Sequence, residues 1–182
     1  NIFEQIFTFL ITQVGLSLEN FVVTYFPGGK LSDFAKDRQG KNKFGFDANF
    51  PRDSEAIVYF DKIGIKNNQI KPDFSRNCFL IPNWVCKEIA PWGYRNEIFY
   101  KLNDKLVDIA TIERLFWRPI YEKETIIGVE DWKNSFIIAG SGFERLAMII
   151  NLISPLHGEI NHNFVDIFDG KVNFPSKNER LI

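Results

Sequence analysis

Residues 138–147 read Ile-Ala-Gly-Ser-Gly-Phe-Glu-Arg-Leu-Ala. Small residues at Gly140 and Gly142 let a ligand approach the main chain. A helix opening just after them offers first-turn amides and the positive end of its dipole. Arg145, in the first turns of that helix, carries the planar donor fork that suits a phosphate. Two plainer readings stand beside this one. The glycines serve a tight strand-to-helix turn, and Arg145 pairs with Glu144 or Glu97. Other chemistry is poorly supported. His157 and His162 lack a thiol or a second pair at zinc spacing and read as loop residues. Gly28-Gly29-Lys30 lacks the upstream glycine and the following Ser/Thr of a P-loop. No nucleophile–histidine–acid order carries a local signature.

The chain has 182 residues, is 45% hydrophobic and contains nineteen phenylalanines, so residues 1–182 are expected to form one domain with a substantial core. A net charge of -1 gives no global basic field for nucleic acid. Lys30, Lys36, Arg38, Lys41 and Lys43 fall close together, but acids between them favour a solvated loop. Cys78 and Cys86 form neither a disulfide framework nor a zinc pattern and fit a reducing compartment, either the cytoplasm or an organelle with a reducing interior. No apolar run has the length of a membrane span, and Asn1–Leu10 lacks the basic flank of a signal peptide, so no membrane association is expected.

The elements that must position the glycine segment follow from periodicity. Ile2, Phe3, Ile6, Phe7, Leu10 and Val14 recur at helical spacing, and Gly15 stops them. Phe21–Phe26 reads as a buried strand ended by Pro27-Gly28-Gly29. Residues 28–52 are charged and weakly periodic and read as a long surface loop or insertion. Ser54 can cap a helix to Ile63, with Gly64 as its stop. Strands are expected at Phe79–Ile81, Glu97–Leu102 and Leu106–Ile109, with a turn at Asn103-Asp104. A further hairpin is expected from Ile112–Tyr121 and Thr125–Val129, weakened by Pro119. Ser135–Ala139 leads into the glycines, and Phe143–Ile153 is a helix burying Leu146, Ala147, Ile149, Ile150 and Ile153. Trp84, Trp92, Trp117 and Trp132 read as core or rim aromatics. The whole is an α+β fold, an antiparallel β-sheet flanked by helices.

Three strings in the same order resemble the alanyl-tRNA synthetase catalytic domain, of class II. Ala90-Pro91-Trp92-Gly93-Tyr94-Arg95-Asn96-Glu97-Ile98-Phe99-Tyr100 is similar to the family's Gly-Pro-Cys-Gly-Pro-Cys-Ser-Glu-Ile-Phe-Tyr, with both cysteines replaced. Val107-Asp108-Ile109 resembles the Ile-Glu-Ile-Trp-Asn strand. Gly140-Ser141-Gly142-Phe143-Glu144-Arg145 resembles motif 3, Gly-x-Gly-Leu-Glu-Arg. Leu16–Phe26, Asp53–Gly64 and Asn163–Phe168 are weaker echoes, so the resemblance covers most of residues 5–170.

The resemblance implies ATP-dependent amino-acid activation and aminoacylation of tRNA on an antiparallel sheet. Arg145, Gly140, Gly142 and Glu97 would then contact ATP, and Asp108 would take the place of the family's metal-associated glutamate toward magnesium. The amino-acid pocket departs from the pattern. Where the family carries an aspartate for the substrate ammonium this chain has Ile138, and the Trp-Asn pair falls on Ala110 and Thr111. An isoleucine cannot pair a buried ammonium. Motifs 1 and 2 of the family lie upstream of the matched strings, and the sequence before residue 5 leaves no room for them. Phe116-Trp117-Arg118-Pro119 imitates a motif 2 start in the wrong place. The sequence is therefore expected to supply the second half of a class II core. Its function is either residual ATP-dependent ligase chemistry or that of a non-catalytic synthetase paralogue. The paralogue would bind tRNA or cover its exposed half-core with a protein partner or a second copy of itself.

Overall fold

A computed structural model describes residues 1–36, 39–42, 44–81, 91–103 and 105–153. Its framework is a six-stranded, mainly antiparallel sheet in the order β4-β1-β6-β7-β8, with β5 also paired on β6. The strands are β1 (Phe21–Tyr25), β4 (Ile70–Pro72), β5 (Phe79–Leu80), β6 (Trp92–Leu102), β7 (Lys105–Glu122) and β8 (Thr125–Ser141). Only the β1–β4 pair is parallel. The expected α+β class is therefore present.

Three helices lie against one face of this sheet. α1 (Ile2–Thr8) runs into a π-helical turn at Phe9–Gln13, α3 spans Ser54–Ile63, and α4 spans Phe143–Ile153. Phe3, Phe7, Phe60, Leu146 and Ile149 from the helices meet Phe21, Val23, Ile98, Ile109 and Ile112 from the strands in one core. Each such side chain contributes roughly 1.5–3 kcal/mol by burial. The rings interlock edge to face, as in Phe7–Phe21 at 5.2 Å and Phe21–Tyr100 at 5.4 Å. On α4, Met148 is buried along with Leu146 and Ile149, while Ala147 and Ile150 are only partly covered.

Residues 28–52 depart from the loop expectation. They hold β2 (Gly29–Lys30), α2 (Leu31–Phe34) and β3 (Asn49–Phe50), with β2 and β3 paired. Leu31, Phe34, Ala35 and Phe50 are buried in a second core with Phe26, Phe79, Trp92 and Tyr94. The rings of Phe50 and Phe79 approach to 4.5 Å. The reason is aromatic packing between distant segments, which leaves no local period to read.

Three further expectations are adjusted. The N-cap of α3 is Asp53, not Ser54, and its side chain accepts from Ala56 N at 3.2 Å. Gly64 closes the helix with φ 96°, as expected. The two strands expected at 106–109 and 112–121 are one, and so are those at 125–129 and 135–139. Cross-strand pairs enter both supposed breaks, as at Thr111–Gly140 and Arg118–Glu130, while residues 132–135 form an irregularity opposite Phe116. Pro119 is accommodated in β7 opposite Val129. Trp117, inside the string that imitates motif 2, packs on Phe50, Phe79 and Tyr94. Cys86, Trp84, Arg38, Lys43, Asp104, both histidines and the 163–168 echo lie outside the described residues.

Candidate functional site

Ladder register decides which of the singled-out residues meet. Glu97 pairs with Thr111, and Thr111 with Gly140, so the three form one row across β6, β7 and β8. The next row on the same face is Arg95, Glu113 and Ile138. Intervening rows, Asn96–Ile112–Ala139 and Tyr94–Arg114–Ile137, point to the opposite face. Side chains alternate along a strand, so Asp108 would fall out of step with Thr111. An extra residue corrects this: Ile98 pairs with Ala110 but Phe99 pairs with Asp108, which leaves Ile109 as a bulge. The bulge sends Ile109 into the core and returns Asp108 to the face of Glu97.

A cleft of about 310 Å³ opens beside this row, lined by Asp108, Ile109, Ala110, Thr111, Gly140, Gly142, Glu144 and Arg145. That is near the small end of the roughly 300–1,000 Å³ usual for ligand sites. Thus five of the singled-out residues, Asp108, Thr111, Gly140, Gly142 and Arg145, line one cleft. Glu97 stands next to Thr111 in the ladder, whereas Ile138 lies one row away and 45% exposed.

The junction that holds the cleft is tied to the bulge. The Ile109 carbonyl accepts from Gly142 N at 3.1 Å and from Ser141 Oγ at 2.8 Å. Gly142 O then accepts from Leu146 N at 3.0 Å and starts α4. Gly140 belongs to the strand, and neither glycine has a positive φ. A turn conformation is therefore not what calls for glycine here. A Cβ at Gly140 would meet nothing within 4 Å, and one at Gly142 would make an ordinary contact with Arg145 at 3.4 Å. Packing does not call for glycine at either position.

Arg145 pairs neither with Glu144 nor with Glu97. Its Nη1 donates to the Asp108 carbonyl at 2.8 Å and to the Asp108 carboxylate. The two side chains remain 53% and 36% exposed. Glu97 is nearly buried, and burial, reinforced by the charge of Asp108, raises its carboxyl pKa to about 7 against the pull of Arg95. Its backbone N donates to Thr24 Oγ1 at 3.0 Å.

Two ion-paired groups, one on the cleft face and one behind the sheet, escape a reading of motifs alone. Arg95 Nε and Nη2 both donate to Glu113 Oε1, at 2.9 and 2.7 Å. The signal available was charge at alternate positions, Arg95 and Glu97 facing Glu113. Behind the sheet, Arg114 is buried and bonded to Asp53 and Glu55. The adjacent charges Glu113 and Arg114 between Ile112 and Leu115 were its only mark.

No three His, Cys, Asp or Glu side chains converge on a metal position among the described residues. A cation held by protein alone has no candidate site there. A single carboxylate such as Asp108 does fit magnesium carried by phosphate oxygens, which asks for only one or two protein carboxylates. No helix among the described residues is long and apolar enough to cross a membrane. Neither the protein-family models nor the curated protein sequences give a match to this chain.

Proposed function

We propose that the chain is an alanyl-tRNA synthetase-like nucleotide-binding domain, whose cleft receives the phosphates of ATP with magnesium. One observation carries the reading. The residues taken from two separated strings, Asp108 and Thr111 from one and Gly140, Gly142 and Arg145 from the other, line a single cleft at a helix start. Arg145 is the phosphate ligand, Asp108 faces the magnesium, and Gly140 gives the nucleotide room. Glu97 lies in the adjoining row and supports the acidic side. Ile138 gives no partner to an ammonium and Thr111 offers only a neutral hydroxyl, so alanine itself is a poor substrate. ATP with magnesium should raise the melting temperature of the chain, and Arg145→Ala should remove that rise. A wild-type melting temperature unmoved at millimolar Mg-ATP refutes the reading.

A second reading rests on β8. Among the described residues it is an end strand of the sheet, and Phe136, Ile137 and Ile138 along it are 39–46% exposed. Exposed apolar strand edges favour pairing with another chain. In this reading the domain is a non-catalytic paralogue that assembles with a protein partner, with a copy of itself or on tRNA. Light scattering during size exclusion tests self-association: a wild-type oligomer dissociated by Ile137→Lys supports it. A wild-type monomer removes that form of it.

A further inference from the structure

The charges around the cleft restrict what can enter it. Its lining holds the carboxylates of Asp108 and Glu144 against the single guanidinium of Arg145. That guanidinium already spends Nη1 on both the carbonyl and the carboxylate of Asp108. An anion arriving alone meets a surplus of negative charge and a neutralised arginine. It gains little, because the charge behind the remaining guanidinium donors is already balanced by the Asp108 carboxylate.

We infer that the Asp108–Arg145 pair is a latch that makes the cleft selective for a polyphosphate bound to a divalent cation over the bare anion. The inference rests on the nucleotide reading of the cleft. A cation brought by the ligand takes over the Asp108 carboxylate. Arg145, released from it, turns its donors to the phosphate oxygens. Both partners are about half exposed or less and stand at the cleft wall, so the exchange needs side-chain rotation alone. The bulge at Ile109 is what sets Asp108 on this wall, so the latch is built into the ladder. Cation and anion therefore bind with positive coupling, and each raises the affinity of the other by the same factor.

Inorganic pyrophosphate and ATP serve as probes, each titrated calorimetrically onto the full chain with and without magnesium. For the wild type, magnesium should strengthen the binding of both by about tenfold, within the range usual for coupled sites. Because magnesium also complexes phosphates in solution, two variants isolate the latch. Asp108→Asn should bind bare pyrophosphate about tenfold more tightly than the wild type and lose most of the magnesium dependence. Glu144→Gln removes the same charge from an exposed position without touching the pair, and should keep that dependence. Circular dichroism checks each fold, and if Asp108→Asn does not fold, Asp108→Ser takes its place in the same comparison. Tight wild-type binding that ignores magnesium overturns the latch and leaves the nucleotide reading intact. Equal effects of Asp108→Asn and Glu144→Gln reduce it to general charge and overturn it as well. No binding of either probe under any condition overturns both.

Discussion

Two arginine–aspartate pairs hang from strand β7 and face opposite ways. Arg114 and Asp53 lie behind the sheet with side chains 1% and 0% exposed, while Arg145 and Asp108 lie in front at 53% and 36%. The rear pair is enclosed. Asn96 Nδ2 donates to Asp53 at 2.9 Å, Glu55 takes Arg114 Nη1 at 2.8 Å, and the guanidinium stands 5.3–5.8 Å from the rings of Phe3, Tyr94 and Phe116. Phe3 belongs to one core and Tyr94 to the other, so this cation sits where they meet. The same two chemical groups thus serve different ends. Desolvation fixes the rear pair as a structural joint, because neither charge can be left alone. Water access leaves the front pair free to exchange partners.

Breaking the rear pair should give the largest effect. Arg114→Ala leaves Asp53 buried and unpaired and should cost about 3–5 kcal/mol in urea or thermal unfolding. Replacing both residues by apolar ones of similar volume should recover much of that loss. If Arg114→Ala unfolds no more easily than Arg145→Ala, the contrast between the two faces fails.

A smaller effect comes from pH. The carboxyl of Glu97 is raised from 4.5 to about 7 in the fold, chiefly by burial. The folded chain therefore binds more protons than the unfolded one between these values. Stability contributed by the neutral acid is complete below about 4.5 and falls as pH rises to about 7. Glu97→Gln should flatten this slope, removing a loss on the order of 2 kcal/mol in denaturation followed across that window.

The front pair should matter less to stability. Arg145→Ala should change unfolding by about 1 kcal/mol or less, yet abolish the response to Mg-ATP in a melting assay. Arg118–Glu130, half exposed and remote from the cleft, sets the baseline. Arg118→Ala should shift stability by roughly 0.5 kcal/mol and leave ligand binding unchanged.

What was legible in the sequence follows the same division. α4 begins where its apolar spacing and the preceding Gly142 put it, and it is helical as far as Ile153, the last described residue. The strands around Phe21, Glu97 and Asp108 were visible as short apolar runs. Their true lengths were not, since β7 runs on through Ala110 and Thr111, paired with Ser141 and Gly140, and β8 runs through an irregularity at 132–135 opposite Phe116. The aromatic core in residues 28–52 was hidden because Phe34 and Phe50 find Phe79 and Trp92 far along the chain. Convergence of the cleft residues was suggested by motif order, but the face on which Asp108 emerges depends on one bulged isoleucine. Nothing local in Val107-Asp108-Ile109 announces that.

The bulge has one more consequence, for how the site can be watched. The Gly142 amide proton is held by the Ile109 carbonyl, so its exchange with deuterated solvent requires the strand–helix junction to part. Local openings of this kind are slowed by anything that binds the closed form. The exchange rate of that single amide should therefore track occupancy of the neighbouring cleft, giving the domain a native reporter that needs no label and no turnover.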